Sequence, residues 1–300
     1  MIKKLLKNNI LFNKTVLITG TTSGIGLSCT QHLARLGCNI IACVRNTSLA
    51  KEQFEKLKIK YPKINYKIFY LDLQDLNSIN QLIKELKSSL PGGIDFVINN
   101  AGIFARPKKQ TTYGYEQHFF TNCLATIYFS KKLLPLLNQN SKLVFVSSLS
   151  IKNAKINFEN IDFNTINNKI KIYANSKLWL TLYLLEWKRS LENKKSNYSI
   201  EIVHPGICAS SLMSSKNGSF SKLISGIINF GMKLLFHSSK KAAICEIAGL
   251  INSTTDKEWT VPHLFGIWGH PTTKKIKTKN ANGQICQNCY ETIENILNKV

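Results

Sequence analysis

The stretch TVLITGTTSGIG, Thr15 to Gly26, decides the architecture. Its first five residues are apolar or β-branched with no polar alternation, the composition of a strand buried on both faces. Gly20, Gly24 and Gly26 follow at once, and a helical pattern then runs to about Leu36. A buried strand that turns through glycines into a helix opens a βαβ unit. Working outward, the unit repeats. Asn39 to Val44 reads as a strand and Leu49 to Lys60 as a helix; Tyr66 to Leu71 and Leu76 to Leu90 form the next pair. Ile94 to Asn99 is a fourth strand, Glu116 to Leu137 a long helix and Lys142 to Ser147 a fifth strand. A helix opened by Tyr173 runs to Leu191, and Ser199 to His204 is a sixth strand. This alternation predicts an α/β protein with a parallel sheet covered on both faces. Ligands in such sheets sit beyond the carboxyl ends of the strands, at the switch point in strand order.

Composition narrows the classes. Hydrophobic residues make up 44% and charged residues 19%, as in ordinary globular proteins. With no internal repeat, linker or low-complexity tract, residues 1–300 are expected to form one domain. No apolar run reaches the roughly 18 to 20 residues a membrane-spanning helix needs. The basic, partly apolar stretch Met1 to Lys14 leaves little chain before Thr15 for a cleavable presequence. An intracellular protein, cytoplasmic or peripheral to a membrane, is the expectation. The net charge of +23 could attract nucleic acid or an anionic lipid surface. Lys and Asn are spread along the whole chain, however, without an Arg cluster or a nucleic-acid-binding signature, so no nucleic acid is expected. The eight cysteines are scattered, and only Cys286 and Cys289 form a CxxC, without a second pair to complete a zinc site. Free thiols in a reducing compartment fit best, with no metal expected.

The glycine turn has a chemical reading. Gly20 permits a tight turn and Gly24 and Gly26 a close backbone approach, while the helix N-terminus offers free N–H groups and partial positive charge to a pyrophosphate. Thr22, Ser23 and Ile25 lie within the same turn. The spacing, TGxxxGxG, differs from the usual GxGxxG. In this it resembles the short-chain dehydrogenase/reductase family, and the resemblance covers roughly Asn13 to Asn252. It implies a Rossmann-type doubly wound parallel sheet flanked by helices, and a nicotinamide cofactor. By that resemblance Asp72 contacts the adenine, and Asn99-Asn100-Ala101-Gly102 matches the family's NNAG motif, with Asn99, Ala101 and Gly102 expected at the cofactor. His204-Pro205-Gly206-Ile207 with Ser210 resembles the loop that meets the nicotinamide carboxamide, through Pro205, Gly206, Ile207 and Ser210. Near the end of the second strand an acidic residue would accept the ribose 2′-OH of NAD, whereas Arg accommodates the 2′-phosphate of NADP. The strand ends Ala42-Cys43-Val44-Arg45-Asn46, so Arg45 favours NADP(H) over NAD(H).

Tyr173 and Lys177 lie four apart on one helix face. A free phenol titrates near 10; bringing it to about 7 requires roughly 4 kcal/mol in favour of phenolate, which an adjacent ammonium can help supply. In Val144-Phe145-Val146-Ser147-Ser148 successive side chains alternate between faces, so one serine faces the site. The family resemblance assigns Ser148, with Ser147 as the alternative, and adds Asn122. The implied activity interconverts an alcohol and a carbonyl, with Tyr173 as general acid/base, Lys177 beside it and also holding the ribose, and Ser148 orienting the substrate oxygen. The stretches IIACVRN and ENIDFN and the HPG loop look most like the retinol-dehydrogenase-like branch, which implies a lipophilic substrate of retinoid, steroid or polyprenyl type. Leu223 to Phe236 (LISGIINFGMKLLF), within a segment of about 208–240, is where the family covers its substrate. Its composition also suits a membrane surface or an ordinary core helix. A homodimer through the Asn122 and Tyr173 helices is a family expectation. The alternative reading is an NADPH-binding regulatory or scaffolding protein without turnover.

Overall fold

Thr15–Thr19 forms β1, from which a computed structural model of the chain builds outward in both directions. It describes residues 8–104, 106–163, 165–194, 196–206, 238–255, 257–278 and 281–300. β1 leads through the glycine turn into α1 (Gly24–Arg35), then β2 (Asn39–Val44), α2 (Thr47–Lys60), β3 (Tyr66–Tyr70) and α3 (Leu76–Ser89). β4 (Ile94–Asn99) is followed by the short α4 (Gln117–Phe119), a π-helical turn (Phe120–Leu124) and α5 (Ala125–Leu133). Next come β5 (Leu137–Val146), a 3₁₀ turn (Leu149–Asn153), the 25-residue α6 (Lys169–Asn193) and β6 (Tyr198–Val203). The chain closes with α7 (Ser239–Ile251), β7 (Glu258–Leu264), β8 (Trp268–Lys275) and α8 (Gly283–Leu297).

Among the described residues the strands form one sheet in the order β3-β2-β1-β4-β5-β6-β7-β8. β1 through β7 run parallel and β8 turns back antiparallel. The order reverses between β1 and β4, and this is the switch point at which a doubly wound sheet leaves a crevice. The predicted single-domain Rossmann-type architecture is therefore present, with an antiparallel edge strand that the sequence reading did not foresee. β8 carries Lys274 and Lys275, and charge on an edge strand discourages further pairing.

Strand alternation sorts the core onto two faces. Val144 and Val146 of β5 pack with Leu33, Phe54 and Ile247 on the α1, α2 and α7 side. Leu143 and Phe145 pack with Leu82, Ile127 and Trp179 on the α3, α5 and α6 side. Both faces are covered, which is why the central strands read as continuous apolar runs.

Several predicted boundaries move for local reasons. α2 starts at Thr47, two residues early, because the Asn46 side chain accepts the Leu49 N–H at 2.9 Å. α6 starts at Lys169 because Asn168 caps it, accepting from the Ile170 and Lys171 amides. Tyr173 thus lies one turn inside the helix and does not open it. The single helix expected over Glu116 to Leu137 is broken into pieces. Glu116 is its cap, Pro135 cannot donate the next helical bond, and Leu137 already pairs with Ile94 as part of β5. β3, β5 and β6 each end one residue before the predicted end. Among the described residues no helix is long and apolar enough to cross a membrane. The described cysteines, Cys286 and Cys289 included, are free thiols.

Candidate active site

The carboxyl ends of β1 to β6 converge on one cleft of about 700 Å³. Its nucleotide end is made largely of backbone. Gly20 adopts φ +74°, and a Cβ there would lie 3.1 Å from the Ala101 Cα, so β1 and β4 approach as closely as glycine permits. At Gly26 a Cβ would fall far inside van der Waals contact with the Gly20 carbonyl and the Asn100 amide. Ser23 caps α1 with extended backbone and makes no side-chain capping bond. The first-turn N–H groups of α1, with Gly20, Thr22, Ser23, Gly24, Ile25 and Gly26 all lining the cleft, thus remain available to an anion.

Two strand ends complete that region. Arg45 is exposed and lines the cleft just past β2. Asp72 lines it past β3, its Oδ1 accepting the Gln74 N–H at 2.9 Å and its own N–H donating to Ser78 Oγ. At the end of β4 the two asparagines divide. Asn100, Ala101 and Gly102 line the cleft, whereas Asn99 is buried and does not. Asn100 belongs to the NNAG stretch but was not among the expected cofactor-binding residues. Its Nδ2 donates to the Thr19 and Gly20 carbonyls at 2.8 and 3.1 Å, while Thr19 Oγ1 accepts the Ala101 N–H at 2.9 Å. These bonds join the glycine turn to β4. Their signal in the sequence was the stretch Asn99-Asn100-Ala101-Gly102 at the strand end.

The other end of the cleft is made of side chains. Tyr173 is half-buried, its ring edge-on to Phe104 with centroids 4.7 Å apart. Lys177, one turn further along α6, is buried, and its Nζ donates to the Val146 carbonyl at 2.7 Å. Burial lowers its pKa to about 8, against an opposing pull from Cys123 and Glu246. Ser147 Oγ is 2.7 Å from Thr181 Oγ1 and is committed to the α6 side, the face that alternation assigns to Leu143 and Phe145. Ser148 is half-exposed to the cleft, and its Oγ accepts from Ser150 N–H and Oγ–H at 3.2 and 2.9 Å.

Asn122 stands behind the wall of the cleft, in the π-helical turn. Its Oδ1 accepts the Ile103 N–H at 2.8 Å, and its Nδ2 donates to the Ile103 carbonyl and to Ser176 Oγ at 3.0 and 3.1 Å. A Cβ on Gly102 would stand 2.9 Å from Asn122 Oδ1 and 3.8 Å from Lys177 Nζ, so these three residues share one small volume. Past β6, His204, Pro205 and Gly206 line the cleft. His204 is buried and stacked on Trp259; burial lowers its pKa to about 3, so its imidazole is neutral. Ile207, Ser210 and the stretch Leu223 to Phe236 lie outside the described residues. The cleft is also lined by apolar Ile103, Phe104, Leu149 and Ile170 and by polar Arg106, Thr121 and Ser150, none of which the sequence reading named.

A family model described as short chain dehydrogenase matches residues 14–219. The chain belongs to the short-chain dehydrogenase family. Membership implies the capacity to bind NAD(P). Curated relatives include a polyprenol dehydrogenase from Homo sapiens, 31% identical over 65% of this chain and 61% of the relative. Retinol dehydrogenase 14 from Mus musculus is 34% identical over 68% of this chain and 64% of the relative. The chain thus spans somewhat over three-fifths of the length of these relatives. Among solved structures, an uncharacterized protein from Mycobacterium Paratuberculosis superposes with a TM-score of 0.74 at 25% identity, covering 96% of this chain and 94% of that one. A short chain dehydrogenase/reductase from Burkholderia phymatum in complex with NAD has a TM-score of 0.62 at 13% identity, with 79% and 85% covered, and shares the fold.

Proposed function

We propose that this chain is an NADP(H)-dependent oxidoreductase that interconverts an alcohol and a carbonyl on a lipophilic small molecule, with Tyr173 as general acid/base. The observation that carries the reading is the convergence of half-buried Tyr173, buried Lys177 and cleft-facing Ser148 on the end of a cleft whose other end is an uncapped helix N-terminus. The bound nicotinamide would supply the hydride acceptor or donor. Tyr173 exchanges a proton with the substrate oxygen at its phenolic oxygen. Lys177, with a pKa of about 8, is mostly charged at neutral pH and favours the phenolate. It is also the residue suited to hold the cofactor ribose. Ser148 orients the substrate oxygen, and Asn122 braces Ile103 and Ser176 so that the wall beside Lys177 holds its shape.

The cofactor fits the residues present. Gly20 to Gly26 offer backbone N–H groups to the pyrophosphate, Asp72 flanks the adenine position, and Ala101 and Gly102 leave room for the rings. Asn99, buried behind the cleft, would act through the turn it shares with them. Pro205 and Gly206 border the nicotinamide end, with Ile207 and Ser210 assigned beside them by family resemblance alone. Arg45 in the cleft, with no acidic residue at the end of β2, supports NADP(H) over NAD(H). The apolar lining beside Tyr173 supports a lipophilic substrate, as do relatives named for retinol and polyprenol. Residues of about 208–240 would cover that substrate, and the same segment suits peripheral membrane contact; a homodimer is the family expectation. The test is NADPH oxidation with a panel of apolar aldehydes and ketones by wild type and Tyr173→Phe. Turnover lost in the variant with NADPH binding retained supports the reading. Tight NADPH binding without turnover across the panel replaces it with a regulatory role, and no binding of either nicotinamide cofactor by folded protein overturns it.

A further inference from the structure

The loop leaving β4 runs along the rim of the cleft, to which Ile103, Phe104 and Arg106 contribute. Phe104 is the residue that meets the Tyr173 ring. Part of what holds this loop is a buried polar pair with no role in the proposed chemistry. Glu116, the cap of α4, places Oε2 where it accepts the His118 N–H at 2.6 Å and the Phe119 N–H at 3.3 Å. Its Oε1 is 2.8 Å from His118 Nδ1, and both side chains are essentially inaccessible to solvent. At the far side of the ring, His118 Nε2 accepts the backbone N–H of Arg106 at 3.2 Å.

The partners dictate the tautomer. A backbone amide can only donate, so Nε2 carries the lone pair and the ring proton sits on Nδ1, facing the carboxylate. The carboxylate therefore orients the imidazole, and the imidazole holds the loop. Gln117, between them, adds an N–H to the Lys109 carbonyl at 2.8 Å and a side-chain bond to the Pro107 carbonyl, tying the same loop further along.

We propose that Glu116 and His118 are positioning residues of this site, which fix the substrate-side rim through the Arg106 amide and so hold Phe104 against Tyr173. The inference rests on the oxidoreductase reading for its functional consequence, and on hydrogen-bond geometry alone for the anchoring itself. Neither side chain lines the cleft.

Two substitutions separate hydrogen bonding from space filling. In His118→Gln the side-chain oxygen can still accept the Arg106 N–H; in His118→Leu the volume is filled but no acceptor remains. The readouts are hydrogen exchange at the Arg106 amide, NADPH affinity, and kcat and KM for a short and a long apolar aldehyde. Leu is expected to speed exchange at Arg106 and lower kcat/KM about tenfold or more, as for a buried donor left unsatisfied, chiefly for the long substrate. NADPH affinity stays within about twofold, and Gln stays near wild type in every readout. The proposal is overturned if Leu matches wild type, or if Gln is as impaired as Leu. Should His118→Leu not fold, Glu116→Gln, which keeps an acceptor for the cap but has one oxygen fewer to orient the ring, is read by the same exchange measurement. Unchanged protection of Arg106 there overturns the anchoring. Should wild type itself turn over nothing, the oxidoreductase reading fails, and Arg106 exchange still decides whether the pair holds the loop.

Discussion

The two ends of the cleft are built from different materials. At the nucleotide end the working groups are main chain: the uncapped first turn of α1 and the glycines that let β1 and β4 approach, laced together by Asn100. At the proposed catalytic end they are side chains from separate elements, Ser148 after β5, Tyr173 and Lys177 on α6, and Asn122 from the π-helical turn. A main-chain site needs only that side chains stay out, and it tolerates water. The side-chain site depends on burial, since the lowered pKa of Lys177 is chiefly a desolvation effect.

That contrast can be broken by substitution. The largest effect is expected at the catalytic end. Tyr173→Phe should lower kcat by about two to four orders of magnitude, the usual weight of a general acid/base, with NADPH affinity unchanged by fluorescence titration. If affinity collapses as well, the ends are not separable. Next, Gly26→Ala forces a Cβ into the Gly20 carbonyl and Asn100, and should destabilise the fold by about 1–3 kcal/mol in urea unfolding. It should also weaken NADPH binding while sparing the environment of Tyr173. Arg45→Ala should weaken NADPH binding about 10- to 100-fold, the weight of a hydrogen bond to a charged group, and leave NADH binding nearly unchanged. Equal losses for the two cofactors would remove Arg45 from the 2′-phosphate.

The last effect is on stability and not on activity, and concerns Glu246, a fully buried carboxyl on α7 beside α1. Burial raises its pKa to about 8, against the opposing pull of Cys29 and the Lys177 charge. Between its ordinary value of 4.5 and 8 the folded chain keeps a proton that the unfolded chain has released. Stability associated with Glu246 is therefore fully present below about 4.5 and is lost as pH rises through 8. Glu246→Gln should match wild type in melting temperature near pH 4.5 and exceed it increasingly up to about pH 8. A constant difference at all pH values would mean that Glu246 is not held protonated. His204 has the opposite sign. With its pKa depressed to about 3, its contribution is present above 6.5 and lost as pH falls toward 3.

Much of the site was readable because its residues sit where periodicity changes. Gly20 to Gly26 lie between a strand and a helix, Arg45, Asp72 and Ser148 just beyond strand ends, and Tyr173 and Lys177 one helical turn apart. Within the NNAG stretch the cofactor role was given to Asn99 and not to Asn100, because adjacent asparagines at a strand end differ only in the direction each faces, which the register of β4 decides. Phe104, Leu149 and Ile170 carry no motif and become lining only when loops fold over the cleft. The antiparallel β8 was equally silent, since WGHPTTKK shows no strand-like run of apolar residues.

By itself the sequence determined the βαβ alternation, the glycine turn that opens it, and the order in which candidate chemical groups leave the strand ends. These are local properties, set by side-chain periodicity and by the φ angles that glycine alone adopts easily. Only the tertiary structure decided that Ser147 turns toward Thr181 while Ser148 meets the cleft, that Asn122 braces Ile103 and Ser176, and that Lys177 loses its water. Those outcomes depend on which groups from distant parts of the chain arrive within hydrogen-bond reach, and on how much solvent they exclude. Neither quantity exists until the sheet has closed its faces.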